Sequence, residues 1–134
     1  MIRWVLDTNI CIAVIKRQPQ PVLRRLRGKA LGQVGISAIT IAELEFWAAK
    51  SSRPEQARLA LAEFLLPLEI LPFDAAAAAE YGTIRTALEI VGRPIGPLDT
   101  LIAAHALALD AALVTNNVRE LRTVAGLRVE DWLE

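Results

Sequence analysis

Short apolar runs alternate with longer stretches of helical period along this chain. Ile2, Trp4, Val5 and Leu6 form a run that stops at Asp7-Thr8-Asn9, which predicts a strand over residues 2–6 and a helix over about 9–16. Pro19 and Pro21 break that helix and start a second short one to about Arg27, which Gly28 ends. A strand follows Gly32 over 34–37, then helices over about 39–50 and 54–66; Pro54 opens the latter and Pro67 stops it. Residues 68–71 read as a short strand, and Asp74 as the cap of a long alanine-rich helix to about 90. Gly92-Arg93-Pro94-Ile95-Gly96-Pro97 reads as a rigid loop, because its prolines fix φ and its glycines permit tight approach. Pro97 is placed as the first residue of a helix to 109. A strand over 112–115, a short helix over 117–121 and an edge strand over 127–129 complete the pattern. This alternation predicts an α/β architecture with a mostly parallel sheet flanked by helices. The chain shows no repeat, linker or low-complexity tail, so one domain over 1–134 is expected.

Composition narrows the setting. A chain of 134 residues, 54% hydrophobic and 22% charged, can bury a core of its own. The longest charge-free stretch, residues 30–42, is interrupted by Gly and Gln and is too short to span a bilayer. Asp7 arrives before the apolar segment of a secretory signal could form. The single cysteine, Cys11, excludes an internal disulfide and fits a reducing compartment. A cytoplasmic protein with no membrane association is expected.

The net charge of zero conceals an asymmetry. Residues 1–30 carry seven Lys/Arg against Asp7 alone, a balance of +6, and residues 31–134 carry eight against fourteen acids, a balance of −6. Lys16, Arg17, Arg24, Arg25, Arg27 and Lys29 fall within fourteen residues with no acid between them. Such a cluster is either a solvated helix face or a set of phosphate contacts for a nucleic acid.

The acids carry the candidate chemistry. Asp7-Thr8-Asn9 and Thr115-Asn116-Asn117 both stand where a strand gives way to a helix, with Glu120 one turn after the second. Those positions lie at the carboxyl edge of a parallel sheet, where open α/β sheets bind ligands. Glu43 and Asp99, each near a predicted helix start, are candidates to join Asp7 there. Each acid also has a structural reading. Asp7 can cap a helix, Thr40-x-x-Glu43 matches a capping box, Asp99 suits a helix's first turn, and Glu120 can pair with Arg119 or Arg122. Capping does not explain why both strand exits carry runs of hydroxyl, carboxyl and amide groups. Converging carboxylates repel unless a cation sits among them. An all-oxygen set suits Mg²⁺ or Mn²⁺ rather than Zn²⁺, and such a centre can activate water against a phosphoryl group.

Four segments stand out together: Leu6-Asp7-Thr8-Asn9, Ser37-x-x-Thr40-x-x-Glu43-Leu44, Asp99-x-x-Ile102-Ala103-Ala104-His105-Ala106 and Leu113-Val114-Thr115-Asn116-Asn117-x-Arg119-Glu120. In this order and spacing they resemble the PIN-domain ribonucleases, specifically the VapC toxins of bacterial toxin–antitoxin pairs. Arg93-Pro94-Ile95-Gly96-Pro97 and Gly126-Leu127-Arg128-x-Glu130-Asp131-Trp132 are similar to the subgroup that cuts initiator tRNA in the anticodon loop. The resemblance implies a PIN-like three-layer sandwich, a homodimer and a cognate VapB-type antitoxin. It also implies a Mg²⁺-dependent endoribonuclease, with Mn²⁺ able to substitute, that inhibits translation. Asp7 and Asp99 are then expected to bind the metal, Glu43 to bind it or orient the attacking water, and Glu120 to complete the cluster. Asn9, Thr115, Asn116 and Asn117 are expected to hold carboxylates and the scissile phosphate. Many PIN domains carry Asp where this chain has Asn117, so the fourth acidic position is either absent or supplied by Glu120.

Other residues read as packing. His105, the only histidine, shares a helical stripe with Leu98, Ile102 and Leu109 while Asp99 falls on another. Cys11, Trp4 and Trp132 read as core. Phe46 and Trp47 lie on a helix apolar around most of its circumference, which suits either core packing or an interface. Two rival readings are a small-molecule phosphohydrolase built on Asp7-Thr8-Asn9 and a non-catalytic binding domain whose acids are caps. The first ordinarily wants a second Asp where Asn9 stands.

Overall fold

In the computed structural model, which describes residues 1–30 and 32–134, five short strands build one sheet. In chain order the elements are β1 (Trp4–Leu6), α1 (Thr8–Arg17), α2 (Gln20–Arg27), β2 (Val34–Ser37), α3 (Ala38–Ala49) and α4 (Pro54–Leu65). Then come β3 (Glu69–Leu71), α5 (Ala75–Ile90), α6 (Pro97–Ala108), β4 (Ala112–Val114), α7 (Val118–Leu121) and β5 (Val129–Glu130). The strand order is β3-β2-β1-β4-β5 and every pairing is parallel, so the expected mostly parallel sheet is wholly so.

That order positions the site. The chain winds outward from β1 through β2 to β3, then returns to lay β4 against the other side of β1. The direction of winding reverses between β1 and β4, and a crevice opens beyond their carboxyl ends. Leu6 pairs with Val114 in register, so Asp7 and Thr115 leave the sheet side by side at that point.

Alternation divides the strand residues between two cores. Leu6, Ile36 and Val114 point into one with Ile10, Val14, Val22, Leu44, Leu61 and Trp132. Val5 and Leu113 point into the other with Ile84, Leu88, Ile102 and Leu121. Helices therefore cover both faces, which is why β1 and β4 read as continuous apolar runs rather than alternating ones. Among the described residues no helix is long and apolar enough to cross a membrane.

Three local expectations change. The capping box does not form. Ser37 caps α3, its Oγ accepting from the Ile39 amide at 3.1 Å, so Glu43 lies inside the helix. β2 ends at Ser37, and a hydroxyl already at the strand exit takes the cap before Thr40 is reached. The last strand is Val129–Glu130 rather than 127–129, because it is set by the pairing of Leu113 and Val114 with those two residues. Phe46 is 65% exposed on α3, whereas Trp47 packs against the Leu6 core, so the helix's apolar circumference is only partly covered.

Candidate active site

Asp7 is both a cap and a member of an acidic group. Its backbone N–H donates to the Val114 carbonyl at 2.9 Å, fixing it against β4. Its Oδ1 accepts from the Ile10 amide at 2.9 Å as the N-cap of α1, and its Oδ2 accepts from the Thr115 hydroxyl. Only 5% of the residue is exposed. Burial pushes the carboxyl from 3.8 up to about 6, and the charges of Asp99 and Glu43 add to the rise although both hydrogen bonds oppose it. A cap alone has no such neighbours.

The other acids arrive from separate elements. Asp99 sits half-buried in the first turn of α6, and its carboxyl is raised by burial and then by Glu43 and Glu120. Glu43 reaches across from α3 and accepts from the Thr8 hydroxyl at 2.5 Å. Thr8 in turn lies 3.4 Å from the Thr40 hydroxyl. Glu120, on α7, accepts from the Asn117 side-chain amide at 3.2 Å, and its backbone carbonyl accepts from the Thr123 hydroxyl. Carboxylates from α3, α6, α7 and the β1 exit are therefore linked through Asp99, whose charge reaches Asp7 and which feels Glu43 and Glu120.

The supporting polar residues separate into two sets. Thr115 is fully buried and forms a hub, donating to Asp7 and accepting from the Asn117 amide at 2.9 Å. Asn9 and Asn116 are exposed, with no side-chain hydrogen bond to the acids among the described residues. Thr8 was not singled out by sequence reasoning, yet its hydroxyl holds Glu43. The available signal was its place beside Asp7 at the strand exit.

Among the described residues no three His, Cys, Asp or Glu side chains stand close enough to form a ready-made metal cage. Mg²⁺ does not require one, since it is held by one or two carboxylates with water completing an octahedron. The donors are all oxygen; Asp7 is repelled by Asp99 and Glu43, and Asp99 by Glu43 and Glu120, which a divalent cation would relieve. The residues fit such an ion.

The basic segment is divided by the fold. Lys29 Nζ lies 4.1 Å from the Trp4 ring centroid and 5.4 Å from that of Trp132. Arg25 stands 3.9 Å from Glu130, which also accepts from the indoles of Trp4 and Trp132 at 3.2 and 2.9 Å. Lys16, Arg17, Arg24 and Arg27 form no ion pair among the described residues. His105 is buried, its Nδ1 2.8 Å from Ser37 Oγ and its ring edge-on to Phe73; burial holds its pKa low. Cys11 is fully buried, and burial pushes its thiol up, away from the reactive thiolate.

Comparison with known proteins agrees with this fold. The PIN domain family model matches residues 4–127. The chain is 44% identical over 132 residues to the tRNA(fMet)-specific endonuclease VapC of Shigella flexneri, a match covering 98% of this chain and 99% of that protein. It is 43% identical to ribonuclease VapC2 of Haemophilus influenzae, over 99% of this chain and 100% of that one. The crystal structure of DNA-bound VapBC from Salmonella typhimurium contains a chain that matches with a TM-score of 0.95 at 40% identity, over 98% of this chain and 99% of that chain. With its acids at the β1–β4 crevice and relatives matched over nearly their whole length, the chain belongs to the PIN-domain family, among the VapC ribonuclease toxins.

Proposed function

We propose that this protein is a Mg²⁺-dependent endoribonuclease that cuts initiator tRNA in its anticodon loop and so arrests translation. The observation that carries the reading is the convergence at the crevice beyond β1 and β4 of Asp7, held by Thr115, with Glu43, held by Thr8, and Asp99 in the first turn of α6. Asp7 and Asp99 are the metal-holding pair. A bound Mg²⁺, or Mn²⁺ in its place, would lower the pKa of a water and offset charge developing on the phosphoryl group. Thr115 keeps Asp7 oriented, and Thr8 holds Glu43 where it orients the attacking water and takes its proton. The water oxygen bonds to phosphorus in line with the 3′ oxygen, the phosphorus–O3′ bond breaks, and the leaving oxygen takes a proton from solvent. The products are a 5′-phosphate and a 3′-hydroxyl, with no part for the 2′-hydroxyl. Glu120, steadied by Asn117, completes the acidic group.

The choice of substrate is supported by the names of relatives from Shigella flexneri and Salmonella typhimurium, both called tRNA(fMet)-specific endonucleases. Similar structures include VapBC complexes from Salmonella typhimurium and Rickettsia felis, which support a VapB-type antitoxin as partner. A homodimer belongs to the same reading, with exposed apolar side chains such as Phe46 available to it. Sequencing of RNA ends after brief induction tests the proposal. Cleavage at one anticodon-loop position, lost in Asp99→Asn, is expected. Undiminished cleavage by a folded Asp99→Asn protein overturns it.

A further inference from the structure

Beside the acids runs a cleft of about 390 Å³ lined by Arg93, Pro94, Ile95, Arg119, Glu120 and Thr123. One wall is the loop that leads into α6 and the other is α7 with the turn after it. Glu120 marks its acidic end, since the charge of Glu120 is felt at Asp99. The remaining charge in the cleft is positive.

Arg93 and Arg119 are exposed, and neither enters an ion pair among the described residues. Their neighbour Arg85 differs, being committed to Glu89 at 2.9 Å and to the Tyr81 hydroxyl at 2.8 Å. Arg93 is also carried on a stiff base. Its backbone N–H donates to the Leu88 carbonyl at 2.9 Å, Gly92 before it turns at φ 71°, and Pro94 after it restricts its backbone. Both guanidinium groups belong to side chains that line the same cleft. Their planar forks match the oxygens of a phosphate. The four neighbouring carboxylates repel RNA, so a strand reaching Asp7 and Asp99 needs cations close by. Arg25 and Lys29 of the N-terminal basic segment are already engaged with Glu130 and the Trp4–Trp132 pair.

We propose that this cleft is a phosphate subsite, in which Arg93 and Arg119 grip one backbone phosphate of the RNA strand flanking the scissile one. The proposal rests on the ribonuclease reading above and adds the direction in which the strand leaves the acids, along α7 toward the loop before α6. Thr123 has a structural part there, since its hydroxyl is spent on the Glu120 carbonyl.

The test is binding of a short fluorescein-labelled single-stranded RNA in EDTA, followed by anisotropy across a salt series. Each phosphate contact on a single strand contributes roughly −0.7 to the slope of log K against log salt. The double variant Arg93→Gln/Arg119→Gln is expected to bind more weakly and to flatten that slope by about 0.7, with Mn²⁺ affinity unchanged. Arg85→Gln is expected to leave the slope as it is. A methylphosphonate at the gripped position should weaken the wild type and leave the double variant indifferent. Wild-type binding with an unchanged slope in the double variant overturns the subsite alone. A wild type that neither binds nor cuts RNA overturns the ribonuclease reading and the subsite with it.

Discussion

Replacing Asp7 by Asn should stabilise the metal-free protein while ending its activity. The Asp7 carboxyl titrates near 3.8 when unfolded and at about 6 when folded. Between those values the folded state keeps a proton that the unfolded state has lost. Stability therefore falls as pH rises through this window, and the full cost stands above about pH 6. A rise of roughly two units, at about 1.36 kcal/mol each, amounts to about 3 kcal/mol at neutral pH. Asn is nearly isosteric, and its Oδ1 still accepts from the Ile10 amide. Its Nδ2 faces the Thr115 hydroxyl, which must accept instead of donate, a loss of about 1 kcal/mol. The net gain of about 2 kcal/mol corresponds to a rise in Tm of roughly 5–10 °C for a domain of this size. Scanning calorimetry in EDTA measures it, at pH 7.5 and again toward pH 4, where the advantage should fade as the wild type takes up its proton. Added Mn²⁺ should raise the Tm of the wild type and leave the variant unmoved, and the variant should not cut RNA. A variant less stable than wild type in EDTA, or one that still responds to Mn²⁺, refutes the reasoning. Stability gained at the cost of function is expected where like charges are held together for a ligand.

Three further outcomes are expected. Glu120→Gln should lower cleavage strongly and Asn117→Ala less so, because of these two only Glu120 is charged, and its charge reaches Asp99; single-turnover assays showing the reverse order would give the fourth position to Asn117. Arg24→Gln with Arg27→Gln should weaken RNA binding and flatten its salt slope by up to about 1.4 without altering Mn²⁺ affinity; an unchanged slope would make the segment a solvated helix face. His105, whose pKa is held low by burial, disfavours folding as pH falls below the ordinary 6.5, because the unfolded chain takes the proton first. In the Asp7→Asn background, His105→Gln should flatten the decline of urea stability between pH 7 and 5, and an equally steep decline would remove His105 from that account.

What could be read from the sequence was local. A strand that ends in Asp7 at a helix start depends on neighbouring residues only, and the same holds for Pro97 opening a helix or Asp74 capping one. Apolar runs between helical patterns made a buried parallel sheet the economical solution. The family motifs then marked Glu43, Asp99 and Glu120, although a helix-start role for the first two and a surface ion pair for Glu120 remained equally good accounts of each acid taken alone. Tertiary structure brings the acids together, through contacts that span the chain. Thr115 meets Asp7 across 108 positions once β4 lies against β1, and Thr8 meets Glu43 across 35 once β2 lies against its other side. The basic segment shows the opposite case. Its residues are adjacent in sequence, yet Lys29 and Arg25 are drawn to Trp4, Trp132 and Glu130, partners more than a hundred positions away in two of the three instances. Periodicity specifies which side of an element is apolar. The order in which strands lie in the sheet specifies which charges become neighbours, and in this protein that order assembles the acids at one crevice.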